Sequence, residues 1–446
     1  MFKPISLWKN YLSQTGSLQK FLAKAIAGTF GLRVINAFLV YFNSLLLARV
    51  LGAKGFGLYS YAGAWTYLLL IPSALGIEGL ILREVAIYQT QSRWNLTKGL
   101  IQWGDKIVLL NSILIAIVTA LGFWLFLPPE NTEMLWVMTI ALIAVPPDAL
   151  SRLRQPAMRA IGSIVMGQLP ETLIGPSLFS LLLLALVFLR GNDLNTSEAV
   201  GIRVVVAIIT CILGAILLRV RLSPEVKKAK PKYQPKLWFK SALPMLLIGS
   251  MYVVNNQTDT IMLGTLSTTD AVGIYTVANR GAGLIVFVLM AFDTSIAPTF
   301  ASLYSQGELK QLQKIVTRSC QIVFVIALFI TAILVIFGKG LLLIFGSEFI
   351  NGYLVLIILS CGQLFNAFTG SIAMLLIMTG FDKYTVIGVS TSAVLNIILN
   401  AIFIPYWNAE GAALATAISM ICWNCILIYF ARQKLKINST PLSFSK

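Results

Sequence analysis

Histidine is absent from all 446 residues. That removes His-dependent catalytic triads, imidazole metal ligands and the histidine base of membrane acyltransferases. No G-x-x-x-x-G-K-[ST] segment occurs either, so intrinsic P-loop ATP hydrolysis is not expected. Charge is scarce at 11%, and acidic charge is scarcer, with 17 Asp+Glu against 34 Lys+Arg and a net charge of +17. Because the positive excess is spread over many short loops and not along one face, it implies topology determinants and contact with anionic lipid, and no nucleic-acid partner. The five cysteines, Cys211, Cys320, Cys361, Cys422 and Cys425, all fall in or beside apolar runs. Cys422-x-x-Cys425 has no histidine to complete a metal site, so neither a metal nor a cofactor is expected.

What fills the chain instead is apolar. Hydrophobic residues make up 57% and mean hydropathy is +0.83, more apolar surface than one soluble core could hide, so the solvent is lipid. Twelve runs have the length a helix needs to cross about 30 Å of hydrocarbon: 25–48, 58–82, 107–127, 134–151, 168–189, 200–218, 241–266, 271–304, 320–337, 350–380, 384–404 and 411–430. With the N-terminus placed in the cytoplasm, and Arg203 at the start of the run 200–218 counted with the outer connection before it, the inner segments hold 27 Lys/Arg and the outer ones 5, leaving Arg33 and Arg280 inside the spans. Positive charge is retained on the cytoplasmic side, so both termini of this multi-pass protein are expected there. No outer connection exceeds about 15 residues, too little for the extracytoplasmic catalytic loop of a polytopic enzyme of glycan assembly, and the chain is not expected to be an enzyme.

The longest polar interruption, 221–240, is rich in Lys and Pro and follows the sixth run. It divides the chain into an N-terminal lobe (1–220), a basic cytoplasmic linker (221–240) and a C-terminal lobe (241–446). The lobes repeat one another: Gly57-Leu58-Tyr59-Ser60-Tyr61-Ala62 matches Gly273-Ile274-Tyr275-Thr276-Val277-Ala278, and Leu96-Thr97-Lys98 matches Leu312-Gln313-Lys314 at the same offset of 216. Ala160-Ile161-Gly162 pairs with Met378-Thr379-Gly380 at 218. Six spans per repeat give a parallel duplication about an axis along the membrane normal. The expected fold is therefore all-α: two six-helix lobes around a central cavity, rocking to expose it to either side. Pro72, Pro146, Pro147, Pro170, Pro176, Pro244 and Pro298 lie in or near span interiors, where each removes a backbone hydrogen bond and is a candidate hinge.

The segment Ala48-Arg49-Val50-Leu51-Gly52-Ala53-Lys54-Gly55-Phe56-Gly57-Leu58-Tyr59-Ser60 resembles the signature of the polysaccharide-exporter branch of the multidrug/oligosaccharidyl-lipid/polysaccharide superfamily. So do Leu82-Arg83-Glu84, Asp259-x-x-Met262-Leu263-Gly264, Ala278-x-Arg280, Ala297-Pro298-Thr299-Phe300 and Ile344-Phe345-Gly346. The resemblance implies a flippase for undecaprenyl-diphosphate-linked oligosaccharides, O-antigen or exopolysaccharide repeat units, working in a bacterial inner membrane beside glycosyltransferases and a glycan polymerase. A cation-coupled multidrug exporter of the same superfamily is the alternative.

An ionisable group inside a span costs about 2.5–3.5 kcal/mol on insertion scales and usually faces a cavity or a partner. Arg33 in the inner half and Arg280 in the outer half are therefore candidate footholds for a diphosphate, which guanidinium binds through paired hydrogen bonds. Arg49 and Arg83 at span ends could extend a basic lining or snorkel. Glu78, Asp259 and Asp293 are candidates for ion pairing or for coupling to an H⁺ or Na⁺ gradient. Asn43 and Asn255, at equivalent repeat positions, are candidates for sugar hydroxyls or helix–helix hydrogen bonds.

Overall fold

The computed structural model describes residues 15–126, 131–191 and 194–441. Helix α1 (Thr15–Ala74) carries two spans and reverses at Gly52, whose φ of 66° only glycine adopts without strain. It is followed by α2 (Ile77–Thr90), α3 (Trp94–Phe126), α4 (Thr132–Leu142), α5 (Val145–Ala160) and α6 (Ile164–Leu169). A π turn (Pro170–Ile174) leads into α7 (Gly175–Arg190), then α8 (Thr196–Arg221) and the short α9 (Pro224–Lys228). The rest comprises α10 (Pro235–Leu266), α11 (Thr269–Ser305), α12 (Leu309–Phe345), a 3₁₀ turn (Ser347–Gly352), α13 (Tyr353–Thr369), α14 (Ile372–Met378) and α15 (Asp382–Leu435). Helix α15 is broken at Asn408, with φ 45°.

Nine helices among the described residues are long and apolar enough to cross a membrane. Two of them, α1 and α15, turn back at Gly52 and Asn408, and the 32-residue α10 supplies a further rod. The described residues thus form the expected polytopic all-α membrane protein, with twelve rods among them.

Several rods differ from the apolar runs, for reasons the prolines supply. The run 134–151 is two helices, because Pro146 and Pro147 open a new helix at α5, where missing N–H groups cost nothing. That helix continues to Ala160. Pro170 heads the π turn and Pro176 the first turn of α7. The run 350–380 breaks at Gly370, φ 62°. Helix α12 starts eleven residues before its run, at Leu309, so the polar stretch that leads into it is a continuous part of the rod.

One end of the bundle is closed by contact between the two repeat copies. A Cβ on Gly57 would stand 2.8 Å from the Gly273 nitrogen, and one on Gly273 would stand 3.2 Å from the Gly57 nitrogen. Backbone touches backbone there. Around this point the Ala53 N–H donates to Glu348 Oε2 at 2.7 Å, Arg49 Nε donates to the Ile344 carbonyl at 2.5 Å, and Ser267 Oγ bonds Asn408 Oδ1 at 2.8 Å. Aromatic edges fill the remainder, with Phe56 on Phe349 at 6.3 Å and Tyr41 on Phe345 at 5.3 Å between ring centroids. Toward the other end α1 and α11 meet again at Phe30 and Phe287, 6.4 Å apart.

A valine at Gly57 would drive its side chain into the α11 backbone, which no rotamer change relieves. Gly57→Val is expected to destabilise the folded protein by about 1–3 kcal/mol, read as a lower unfolding midpoint in detergent. Gly283→Val, where a Cβ meets nothing within 4 Å, is expected to leave the midpoint near wild type. Equal midpoints for Gly57→Val and wild type would remove the contact from its structural role.

Candidate functional site

Below the glycine contact lies a cavity of about 530 Å³. Its walls come from both arms of α1 (Val40, Asn43, Tyr59, Tyr67), from α5 (Asp148, Arg152), the π turn (Glu171), α7 (Phe179) and α8 (Arg203). Among the described residues, Arg280 on α11 is the single lining residue from beyond position 240. The chamber is therefore lined mainly by the N-terminal lobe, so the cavity between the lobes is lopsided.

Arg280 reaches across the lobe interface from about 16 Å along α11, at 1.5 Å per residue from Thr269. Its Nε is buried with no hydrogen-bond partner among the described residues, and Tyr59 and Tyr41 are the groups that act on it electrostatically. A guanidinium left this way is a donor waiting for an acceptor. Opposite it, Arg203 lies 3.8 Å from Asp148, both about a quarter exposed. The Arg152 guanidinium sits 4.5 Å over the Tyr67 ring. Glu171 feels Asp148, Arg152 and Glu78. Three arginines against two carboxylates leave the lining positive, with acceptors interleaved among the donors.

Of the sequence candidates, Arg280 and Asn43 reach this chamber. Asn43 is already engaged: its Nδ2 donates to the Pro176 carbonyl at 2.9 Å and its Oδ1 accepts from Ser180 Oγ at 2.5 Å. That makes Asn43 a helix–helix tie at the cavity wall. Arg33 does not line the cavity. It is exposed, seven residues before Val40 and so on the same face of α1, about 10 Å nearer the helix start. Arg49 is spent on the Ile344 carbonyl at the closed end, and Arg83 pairs with its neighbour Glu84 at 2.9 Å; neither extends the basic lining. Glu78 borders a small crevice with Arg152, Met245 and Leu246 beside the main chamber. Asn255 donates to the Val389 carbonyl at 3.2 Å. Asp293 lies beside Ser371, and its Oδ1 is buried without a partner among the described residues.

Arg152, Arg203, Asp148 and Glu171 are absent from the sequence candidates. Arg203 is counted with an outer connection, although it sits inside α8. Arg152 falls one residue beyond the run 134–151, whose helix continues. Asp148 and Glu171 lie within apolar runs, where a charge is its own signal.

Asp259 occupies a separate site in the C-terminal lobe. It is 5% exposed and accepts four hydrogen bonds. Tyr275 Oη and Thr416 Oγ1 donate to Oδ2 at 2.7 and 2.6 Å. Asn396 Nδ2 and Asn400 Nδ2 donate to Oδ1 at 2.9 and 2.7 Å. Three helices, α10, α11 and both arms of α15, converge on one carboxylate. Asn400 Oδ1 is buried beside it with no donor among the described residues. No cluster of three or more His, Cys, Asp or Glu occurs among the described residues.

Comparison with known proteins agrees with this architecture. A family model described as polysaccharide biosynthesis protein matches residues 22–304, and one described as MatE matches 244–402. The chain is 27% identical over 421 residues to the probable flippase AglR of Haloferax volcanii, covering 91% of this chain and 83% of that protein. It is 22% identical over 444 residues to the lipid II flippase MurJ of Bacillus subtilis, covering 90% and 81%. Among solved structures, an inward-facing multidrug resistance MATE transporter superposes with a TM-score of 0.74 at 13% identity, covering 90% of this chain and 94% of the other. Lipid II flippase MurJ in an inward closed conformation superposes with a TM-score of 0.70 at 15% identity, covering 91% and 87%. These likenesses establish the fold.

Removing the acceptor at the centre of four donors leaves them all unpaired. Asp259→Ala is expected to cost at least about 2 kcal/mol, and Thr416→Val, which deletes one donor of four, about 1 kcal/mol. Chemical denaturation in detergent reads both, and an unchanged midpoint for Asp259→Ala would show that the network contributes nothing to the fold.

Proposed function

Because the chain belongs to the polysaccharide biosynthesis protein family, we propose that it is a flippase that moves a diphosphate-linked lipid oligosaccharide between membrane leaflets by alternating access. The observation that carries this reading is the unpartnered Arg280 aimed into a positive chamber. Arg280, Arg203 and Arg152 would take the diphosphate, since guanidinium binds phosphate oxygens in pairs and keeps its charge. Asp148, Glu171 and the phenols of Tyr59 and Tyr67 would receive sugar hydroxyls, each of which both donates and accepts. No bond in the cargo has to break, so no catalytic group is required.

The Lys/Arg distribution supports an arrangement with both termini in the cytoplasm. The Gly57–Gly273 contact then closes the outer side, and Arg33 lies on the approach from the inner side. The lipid-linked repeat unit, of O-antigen or exopolysaccharide type, would enter there, bind at Arg280 and leave outward once the lobes rock, its lipid tail staying in the bilayer throughout. Glycosyltransferases would supply it in the inner membrane and a polymerase would consume it. Asp259 supports coupling to a cation gradient: the carboxylate and Asn400 Oδ1 together offer the acceptors that Na⁺, or H⁺ at the carboxylate, would occupy.

The test is flipping of a fluorescent diphosphate-linked oligosaccharide in proteoliposomes. Arg280→Ala is expected to lower the rate at least about tenfold, the order of one lost charge-assisted pair of hydrogen bonds, with Arg280→Lys intermediate. Full flipping by Arg280→Ala at normal incorporation would end the assigned role. If a cationic drug were the cargo, Glu171→Gln and Asp148→Asn would abolish transport while Arg280→Ala would not. For the coupling site, Asp259→Asn is expected to retain substrate binding but lose its response to an imposed Na⁺ or H⁺ gradient; an unaltered response would exclude Asp259 from coupling.

A further inference from the structure

A second cavity of about 460 Å³ lies where α3, α5, α8 and the linker helix α9 meet, apart from the transport chamber. Helices α3 and α8 both pack on α5 but share no extended contact with each other, so a cleft opens between them. Arg154 of α5 lines its depth and α9 covers one end. The basic side chains Lys98, Arg154, Arg219 and Lys227 line it, against the single carboxylate of Asp105.

Three of these bases, Lys98, Arg154 and Lys227, are held by carbonyl oxygens, which orient a charge without neutralising it. Lys98 Nζ donates to the Lys227 and Ala229 carbonyls at 2.6 and 2.9 Å, Arg154 Nη1 to the Cys211 carbonyl at 2.5 Å, and Lys227 Nζ to the Val220 carbonyl at 3.2 Å. The linker itself is clamped in place, with the Lys232 N–H bonded to the Asn95 carbonyl at 3.0 Å. The outcome is a preorganised excess of positive charge in a pocket. Such a charge is stable beside an anion.

The repeat supplies an independent observation. At the offset of 216, Thr97 and Asp105 correspond to Gln313 and Gln321 of α12. In the C-terminal lobe the matching cleft is filled by the protein's own chain. Gln313 bonds Asn438 through both its amide atoms at 2.8 Å, Gln321 Nε2 donates to the Pro441 carbonyl at 3.0 Å, and Ser439, 1% exposed, donates to the Thr369 carbonyl. At the position of Asp105, which lines the open cleft, and of Thr97 next to its lining residue Lys98, the C-terminal lobe thus holds main chain, whereas the N-terminal lobe has an open cleft with basic walls.

We propose that the α3–α5–α8 cleft binds the phosphate of an anionic phospholipid headgroup. A lipid source follows from the surface the cleft opens onto. Beyond Asp105 on α3 comes the exposed Leu109, and before Arg219 on α8 come the exposed Ile216 and Ile212, one and two turns away. Acyl chains can lie along these residues while the phosphate sits among the bases. The site does not depend on the identity of the transported cargo.

Delipidated protein titrated with phosphatidylglycerol or phosphatidylcholine, with bound lipid counted by native mass spectrometry, tests the assignment. Wild type is expected to retain phosphatidylglycerol about tenfold better than phosphatidylcholine. The triple variant Lys98→Gln/Arg219→Gln/Lys227→Gln is expected to lose that preference. Arg219→Gln alone, at an exposed position that serves if the triple variant does not fold, is expected to weaken it about threefold. The control Lys383→Gln/Lys434→Gln, which removes bases of the other lobe, is expected to keep it. Equal retention of the two lipids, equal retention by wild type and Arg219→Gln, or equal loss in the control would overturn the proposal. Displacement of phosphatidylglycerol by about 10 mM inorganic phosphate would overturn the lipid source and assign the cleft to free phosphate.

Discussion

Two stretches of backbone touch at Gly57 and Gly273, and much of the arrangement depends on that contact. The glycines are the same position in the two copies of the repeat, so the pseudo-symmetry axis passes close to them. Side chains of any size would hold the lobes apart there and prevent α1 and α11 from converging. With the helices pinned at one end, their separation further down is set by larger residues, and a chamber results. The polar ties around the contact, Glu348 to the Ala53 N–H and Arg49 to the Ile344 carbonyl, use groups at helix ends and breaks. Such ties can be exchanged for water when the lobes move, which packed apolar surface cannot do without loss.

Charge is divided between the lobes in a way that the duplication alone does not dictate. The N-terminal lobe carries an interleaved set of arginines and carboxylates facing an open volume, and the C-terminal lobe contributes Arg280 to it. The C-terminal lobe instead buries a carboxylate in a nest of four donors. A group in the first setting is free to exchange partners with a ligand. One in the second already has its partners and is held in place by them. Because α11 carries both Tyr275, which bonds Asp259, and Arg280, one helix links the two sites.

Individual charges show how far the sequence could be read. Arg280 stood out because a charge inside an apolar run is costly, and the structure puts it in the chamber wall. Arg203 obeys the same rule but sits near the start of its helix, and without the lobe around it its depth could not be judged. Arg152 escaped because Pro146 and Pro147 start a new helix that carries the rod past the apolar run. Arg49 and Arg33 are equally prominent in sequence, yet one ties the lobes together and the other lies outside the cavity lining. Their difference arises from which rod each side chain faces, a property of packing.

Hydropathy and the spacing of apolar runs were enough to determine a twelve-rod, all-helical membrane protein, because lipid leaves each long apolar segment no alternative to an internally hydrogen-bonded helix. The repeat offset and the glycine-rich signature, likewise, are local properties of the chain. The lopsided chamber, the four-donor nest at Asp259 and the open cleft between α3 and α8 were decided only by tertiary structure. Each is made from residues more than a hundred positions apart in sequence. Which residues meet across that distance depends on how rods rotate and tilt against one another, and an apolar helix surface leaves those degrees of freedom unspecified until its neighbours are in place.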